Sequence, residues 1–315
     1  MLRPWLFNRT VVGLIVFLAL LPLSVRAEPE PQLTDAAFRA VWQRTDQLVQ
    51  MGQTTRPWLW GPAPLTAGIQ EPYAEAPGGT RLVQYFDKSR MEINDPTRPQ
   101  DDWYVTNGLL VKEMALGQIQ VGDQRFENRG RAEIPVAGDL TNNPTCPTYA
   151  QFGQFARGGI LALEGGQDLT PEEARGYPIL GEPAMAVWYT VGGGGVDPAL
   201  GERYPETAYA YYDEVTGMNV PGVFWRYLNQ GGQVLVDNRP VQAAPLFNWR
   251  YVVGLPLDSG YWTKCAVNGQ ERDVLVQLYE RRVLTYTPSN PPGWQVEMGN
   301  VGRHYRHWRY GTPLE

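Results

Sequence analysis

Two stretches of this chain repeat each other at a fixed separation, and this internal duplication limits the possible fold more strongly than any other feature. Residues 81–94 match residues 274–287 at an offset of 193, so that Leu-Val-Gln occurs at the same place in both. The same offset places Gly61 on Gly254, and residues 103–108 match residues 294–299 at an offset of 191. Agreement at separate places with almost no gap predicts two copies of one supersecondary unit.

Each copy has the same order of predicted elements. A helix is expected at 34–51 and at 221–230, and a glycine follows each of them, as is common at helix ends. Alternating apolar residues then predict short strands that begin near Leu82 and Leu275, separated by turns rich in Pro, Asn and Asp. We therefore expect a mostly β protein of the α+β class, with two duplicated β-rich units, each preceded by a short helix.

The duplication also predicts how the chain is divided. The first repeat unit is expected at 28–134 and the second at 213–315. Residues 135–212 are rich in turn-forming residues and are interpreted as a linker that includes a candidate degenerate unit. The length of the chain exceeds what a single hydrophobic core usually holds, which also favours two packed units over one.

The N-terminus has the three parts of a secretory signal peptide. Arg3 and Arg9 precede an apolar run at 11–23, and Val25-Arg26-Ala27 provides a cleavage site. This run is shorter than the roughly 20 residues that span a bilayer core, which favours cleavage after residue 27 over a retained anchor helix. Either way residues 28 onward are expected outside the cytoplasm, and no second apolar run predicts a membrane span.

The charge balance excludes several classes of partner. Cleavage removes three of the 27 basic residues and none of the 33 acidic ones, which changes the net charge from −6 to about −9. Nucleic acids and anionic lipid surfaces require a basic face, so neither is expected as a partner. The sequence has no phosphate-binding loop and no motif for a nucleophilic serine, so we predict no cofactor.

Histidine and cysteine are too few for a metal cluster. Only two of each occur, and zinc sites need three or four such ligands close together, so no metal site is predicted. His304 and His307 are three residues apart but have no acid or cysteine nearby in the sequence. Cys146 and Cys265 either form a disulfide in an oxidising compartment or remain as two buried thiols.

Carboxylates are the remaining candidates for catalysis, because many glycan hydrolases use two of them. Asp87 and Glu280 occupy the same position in the two copies, and a basic residue follows each. Since a catalytic pair needs unlike environments, a duplicated structural contact explains them better. Glu92 and Glu297 have no acidic counterpart in the other copy, but nothing near them in the sequence offers a partner. No catalytic residue is predicted.

The chain resembles a two-repeat module of uncharacterised exported proteins from thermophilic bacteria. The resemblance rests on Trp58-Leu-Trp-Gly61, Gln84–Glu92, Thr216–Val220, Tyr279–Pro288 and Gly293–Gly302. It covers most of the mature chain and implies no activity. Gly254-Leu-Pro256, Gln277-Leu-Tyr279 and Val296-Glu-Met-Gly299 also resemble, more loosely, the LGFP-type repeats of cell-wall proteins. This second resemblance implies attachment to the cell envelope.

Aromatic residues near predicted turns are the candidate ligand-binding residues. Rings at strand ends are often left partly exposed, where they stack on the faces of sugars. The candidates are Trp58, Trp60, Trp103, Tyr104, Trp262 and Trp294. We therefore expect a non-catalytic binding or structural protein of the cell surface, whose partner is cell-wall or extracellular polysaccharide or another surface protein. The alternatives are an envelope-directed glycan hydrolase and a subunit of a surface assembly.

Overall fold

Helices and strands are interspersed along the described part of this computed structural model, which comprises Met1 and residues 32–155, 176–190 and 193–314. The predicted signal peptide lies outside these residues except for Met1. The helices are α1 Ala36–Gln50, α2 Leu110–Leu116, α3 Tyr149–Phe155, α4 Pro198–Arg203, α5 Gly222–Leu228, α6 Trp249–Val252 and α7 Val301–Tyr310. No helix in the described ranges has both the length and the apolar character needed to cross a membrane.

The strands confirm the predicted α+β class, rich in short β-strands. They are β1 Ile69–Pro72, β2 Thr80–Tyr85, β3 Arg90–Ile93, β4 Thr106–Asn107, β5 Gln118–Gly122, β6 Arg125–Asn128, β7 Ala186–Tyr189, β8 Gly193–Val196, β9 Tyr209–Asp213, β10 Met218–Pro221, β11 Gly232–Val236, β12 Arg239–Ala243, β13 Tyr261–Val267, β14 Gln270–Leu278, β15 Val283–Tyr286 and β16 Val296–Met298. Strands β1 to β4 form one antiparallel sheet in chain order, and the order of the larger sheet is β16-β15-β14-β13-β7-β8.

Helix α1 begins where the sequence places a capping residue. The Asp35 carboxylate accepts a hydrogen bond from the backbone N–H of Ala37 at 2.7 Å, which satisfies one of the free donors of the first turn. Phe38, Trp42 and Leu48 lie on one face and are buried. Trp42 Nε1 also donates to the carbonyl of Gly61 at 2.9 Å, so the helix is held against the turn that follows it.

The segment predicted as a linker takes part in the second sheet. Strand β7 lies beside β13 in parallel, with Val187 paired to Trp262, and β8 forms the edge of that sheet. A disulfide bond between Cys146 and Cys265 also joins this segment to β13. Residues 135–212 are therefore attached to the second sheet at two places, as far as they are described.

The two predicted repeats make matching contacts. Gln84 Nε2 donates to the carbonyls of Gln32 and Thr66, both at 2.8 Å. Gln277, its counterpart at the offset of 193, donates to the carbonyls of Asn219 and Asp258 at 3.0 and 2.8 Å. In each case a buried amide connects a central strand to the two segments that flank it.

The two predicted repeats also contact each other reciprocally. The carbonyl of Asp87 accepts from the backbone N–H of Gly302, in the first turn of α7, at 2.9 Å. The carbonyl of Glu280, the counterpart of Asp87, accepts from the N–H of Lys112 in α2 at 3.2 Å. In each predicted repeat, a backbone carbonyl therefore accepts a hydrogen bond from the first turn of a helix that belongs to the other repeat. Both hydrophobic clusters of the core contain residues of both predicted repeats, and the described residues from 32 onward belong to one compact unit.

A buried ionic network distinguishes the first repeat from the second. Its centre is Arg90, whose side chain is fully buried and contacts three carboxylates. Arg90 Nε lies 2.7 Å from Glu92, and its two Nη atoms each lie 3.3 Å from a further glutamate. The network consists of Glu71, Arg81, Arg90, Glu92 and Glu113, joined from α7 by Tyr305 and Arg309.

The network changes the acidity of its members. Burial alone would raise the pKa of Glu71, but Arg90 and Arg309 outweigh it and lower that pKa to about 2. For Glu113 the effect of burial is larger than that of Arg90, so its pKa is raised. Complete side-chain burial is tolerated here because acids and bases are nearly balanced and hydrogen-bonded to one another.

Candidate functional site

An aromatic-lined groove lies between α1, residues 100–105 and residues 245–252. We refer to it as the aromatic groove. Its volume is about 840 Å³, and its walls come from α1 and the 100–105 turn on the side of the first repeat and from α6 on the side of the second. Binding sites for small molecules typically have volumes of about 300 to 1,000 Å³ and apolar, aromatic walls. The groove is therefore the first candidate site.

An exposed indole ring dominates one wall of the groove. Trp103 is 46% exposed, and its ring packs edge-to-face against Tyr251 with 5.6 Å between the ring centres. The Tyr251 hydroxyl donates to the carbonyl of Val105 at 2.9 Å, and Asp101 accepts from the Trp103 N–H at 2.9 Å. The indole is thus supported from one side while part of its surface remains open, as in a stacking platform for a sugar ring.

A second cluster of rings supports the opposite wall. Trp249, in α6, lines the groove and is half-buried. Its ring lies edge-to-face against Trp225, which in turn stacks on Tyr211 with 4.1 Å between the ring centres. This backing restricts the rotation of Trp249, which reduces the entropy lost when a ligand binds against it.

Two buried polar atoms at the groove have no hydrogen-bond partner among the described residues. They are Trp60 Nε1 and Thr45 Oγ1, and both residues contribute to the lining of the groove. A buried polar atom without a partner is unusual in folded proteins and calls for an explanation. Both atoms are inaccessible to solvent, so neither is open to a ligand in the groove.

Exposed charges at the edge of the groove belong to α1 and to the turn before Trp103. They are Arg44, Asp101 and Asp102. Asp101 is already engaged, because it forms an ion pair with Arg98 at 3.0 Å in addition to accepting from Trp103. Two neighbouring acids of this kind bind hydroxyl groups well, but they are not held in the unlike environments that a catalytic acid and base require.

The structure separates the six aromatic candidates into three groups. Trp60 and Tyr104 lie at the groove together with the exposed Trp103, but both are buried, and Trp60 is only 1% exposed. Trp262 lies in the core of the second sheet, where Nε1 donates to Ala184 at 2.7 Å, and it has no ring face open to a ligand. Trp58 is half-buried and Trp294 is 37% exposed, and neither lines the groove. A stacking surface in the groove therefore rests on Trp103.

The aromatic groove residues that were not predicted from the sequence come from the second repeat. They are Phe247, Trp249 and Tyr251, which alternate along five residues of the chain. Tyr251 is the counterpart of Trp58 at the offset of 193, so the duplication itself pointed to this segment. The signal was present, but only the fold brings this segment opposite α1.

The duplicated acids have structural partners. The Asp87 carboxylate forms an ion pair with Arg303 at 2.7 Å, and Glu280 accepts from the backbone N–H of Leu255 at 3.0 Å. Glu92 belongs to the buried ionic network. Among the described residues, no group of three or more His, Cys, Asp or Glu side chains has a geometry that could hold a metal ion.

Comparison with known proteins adds no relative. No protein-family model, no curated protein and no solved structure matches this chain. The function is therefore argued from the residues of this chain alone.

Proposed function

We propose that this protein is exported and binds a polysaccharide of the cell envelope or the cell surroundings in its aromatic groove, without cleaving it. The observation that carries the proposal is the position of Trp103, an exposed ring held by Tyr251 above a groove whose edge carries the exposed Arg44 and Asp102. Sugars offer an apolar ring face and hydroxyl groups together, and this groove offers partners for both.

Export is supported by the sequence of the N-terminal segment. Its basic start, short apolar run and Val-Arg-Ala end are those of a signal peptide. The disulfide between Cys146 and Cys265 is of a kind that persists in oxidising compartments outside the cytoplasm. The acidic composition leaves neutral polysaccharide as a better partner than nucleic acid.

The absence of cleavage is supported by the state of the acids at the groove. Asp101 forms an ion pair with Arg98 and caps the Trp103 turn. Its neighbour Asp102 is exposed. In a glycan hydrolase, one acid of the pair needs an environment that keeps it protonated near neutral pH, and an exposed carboxyl lacks this environment.

The test is a pull-down of the mature chain, residues 28–315, on peptidoglycan and on insoluble polysaccharides, with released sugars measured in the same tubes. We expect retention without sugar release. Trp103→Ala should weaken retention about 3- to 12-fold, which corresponds to the loss of one aromatic stacking contact.

Trp294→Ala provides the matched control. Trp294 is the counterpart of Trp103 at the offset of 191 and is similarly exposed, but it lies outside the groove. The control should bind like the unmodified chain. Equal losses for both variants would remove the groove as the binding site, sugar release would indicate a hydrolase, and no retention on any matrix would favour a protein partner.

A further inference from the structure

A second cavity shares no lining residue with the aromatic groove. It has a volume of about 370 Å³ and is formed by residues of both repeats and of the segment between them. We refer to it as the polar cavity. The residues that matter for its chemistry are Lys88, Val274, Thr285, Glu297, Asn300 and His304. None of them lines the aromatic groove, so the two sites are separate.

The polar cavity corresponds to a region that is filled in the first repeat. By the offset of 193, Val274 and Thr285 are the counterparts of Arg81 and Glu92, which form an ion pair at 3.1 Å. The strand registers agree, because Glu92 pairs with Thr106 in the first sheet and Thr285 pairs with Glu297 in the second. Where the first repeat has two long charged side chains, the second therefore has two short ones and an open space.

The helix residue at this position differs in the same way. His304 is the counterpart of Glu113 at the offset of 191. Glu113 is engaged by Arg90 and by the hydroxyl of Tyr305. The position of Arg90 itself is occupied in the second repeat by Val283, so His304 has no equivalent basic partner.

His304 is an unpartnered polar group in the wall of the cavity. It is 3% exposed, and its Nε2 atom has no hydrogen-bond partner among the described residues. Its Nδ1 atom lies 2.8 Å from the Tyr149 hydroxyl. When that hydroxyl donates to Nδ1, the ring proton is on Nε2, so Nε2 is a buried donor without a partner in a residue of the cavity wall. Burial and the neighbouring Lys88 lower the pKa of His304, which keeps the ring neutral.

Lys88 provides the positive charge of the cavity. Its Nζ donates to Asn300 Oδ1 at 2.6 Å, and no carboxylate oxygen of the described residues lies within 4 Å of it. A cation that is partly withdrawn from water and paired only with an amide oxygen is under-compensated. Burial accordingly lowers the pKa of Lys88, although nearby acids oppose this effect.

We propose that the polar cavity is a binding site for a small hydroxylated carboxylate, such as a free or terminal sugar acid. The carboxylate would pair with Lys88 and accept from His304 Nε2, and hydroxyl groups would meet Thr285, Asn300 and Glu297. A dianion such as phosphate fits less well, because the lining has one cation, a neutral imidazole and two carboxyl groups, Glu297 and Asp139, of which Asp139 already accepts from the backbone N–H groups of Asn268 and Gly269. The volume is at the small end of the range for ligand sites, as expected for a monosaccharide.

The test is isothermal titration of residues 28–315 with glucuronate, with acetate as the simple carboxylate and glucose as the uncharged sugar. We expect glucuronate to bind and glucose not to bind. Binding of acetate as tightly as glucuronate would show that the carboxylate alone is recognised, and weaker or absent binding of acetate would show that the sugar hydroxyls contribute. Equal binding of glucose, or no binding of glucuronate, would overturn the proposal.

Three variants locate the site. Lys88→Met should weaken glucuronate binding about tenfold or more, as expected when a charged hydrogen bond is lost. The matched control is Arg281→Met, because Arg281 is the counterpart of Lys88 and donates to the carbonyl of Asn107, outside the cavity. The double variant Val274→Arg/Thr285→Glu installs the ion pair of the first repeat, fills the cavity and should abolish binding.

The double variant gives a second, independent result in case the Lys88 variant does not fold. The first repeat already contains the same two residue types, Arg81 and Glu92, at the matching positions. Its retention on polysaccharide should be unchanged, since the aromatic groove lies elsewhere. Unchanged glucuronate binding in the double variant would contradict the assignment of the site. Failure of the groove to bind polysaccharide would leave this result unaffected.

Discussion

Removal of Arg90 tests whether the buried ionic network stabilises the fold. In Arg90→Met the variant side chain keeps similar length but cannot compensate Glu71, Glu92 and Glu113. Glu71 keeps Arg309 and Glu92 keeps Arg81, so Glu113 is the acid left without a base. Breaking a buried ion pair typically costs about 3 to 5 kcal/mol. Because the pKa of Glu113 is already raised and it can become protonated, we expect a loss of about 3 kcal/mol at pH 7.

The same substitution should alter the response to acid. The pKa of Glu71 is 4.5 in the unfolded chain and about 2 in the folded one, so its ionised form contributes about 3 kcal/mol to the free energy of unfolding above pH 5. Since the folded pKa is the lower one, this stability is lost as the pH falls from about 5 to 2. Among the groups that lower the pKa of Glu71, Arg90 has the largest effect. Between pH 5 and pH 2, the free energy of unfolding should therefore decrease less in Arg90→Met than in the unmodified chain.

The assay is urea unfolding of residues 28–315, followed by tryptophan fluorescence at pH 7 and pH 3. The control is Arg98→Met, because Arg98 also pairs with an acid, Asp101, but both side chains are more than two fifths exposed. Exposed pairs contribute about 0 to 1 kcal/mol, so the control should remain near the unmodified chain. A loss below about 1 kcal/mol for Arg90→Met, or an equal loss for the control, would refute the argument.

Three further substitutions probe packing, covalent and titration effects. Gly302→Ala should destabilise the protein, because a Cβ at this position would lie 1.9 Å from the carbonyl oxygen of Phe86. This clash should outweigh the higher helix propensity of alanine. An unchanged melting temperature would contradict the expectation. Replacing Cys146 and Cys265 by alanine removes a disulfide bond that joins residues 119 positions apart, and should lower the free energy of unfolding by about 4 to 5 kcal/mol. Urea unfolding with and without reductant measures the loss, and the variant should no longer respond to reductant. Burial lowers the pKa of His304 to about 3, below its unfolded value of 6.5, so the free energy of unfolding should fall as the pH decreases from 6.5 to 3. His304→Gln should reduce the slope of that fall by up to about 1.4 kcal/mol per pH unit. Equal slopes for the variant and the unmodified chain would contradict this expectation.

The elements that local sequence patterns describe were predictable. The helices expected at 34–51 and 221–230 are observed as α1 and α5, within two residues at each end. The strands predicted near Leu82 and Leu275 are β2 and β14. These elements follow from caps, glycine ends and alternation, which are properties of neighbouring residues.

Features that depend on distant parts of the chain were not predictable from such patterns. The expectation that Glu92 has no partner nearby in the sequence was wrong, because it pairs with Arg90, two residues away, as well as with Arg81. Local patterns do not show that these residues join a network completed by α2 and α7. The parallel pairing of β7 with β13 joins segments about 75 residues apart and leaves no periodic signal in either of them.

The aromatic candidates show the same limit at the level of the site. Trp60, Trp103 and Trp262 all stand near predicted turns, and no local pattern distinguishes them. The fold buries Trp60 and Trp262 and exposes Trp103. Proximity to a turn therefore indicated which rings could be exposed. The packing of α1 and of β13 determines which of these rings is exposed in the fold.

The reciprocal contacts between Asp87 and α7, and between Glu280 and α2, have a consequence for the origin of the chain. A protein with a single copy would leave each of these carbonyls without the helix start that covers it. Two such molecules could complete each other only by exchanging helices across a two-fold axis, which is the geometry of an isologous homodimer. In a chain formed by fusion of such a dimer, one half would be free to vary, and Val274, Thr285 and His304 stand where the first half has the charged residues Arg81, Glu92 and Glu113.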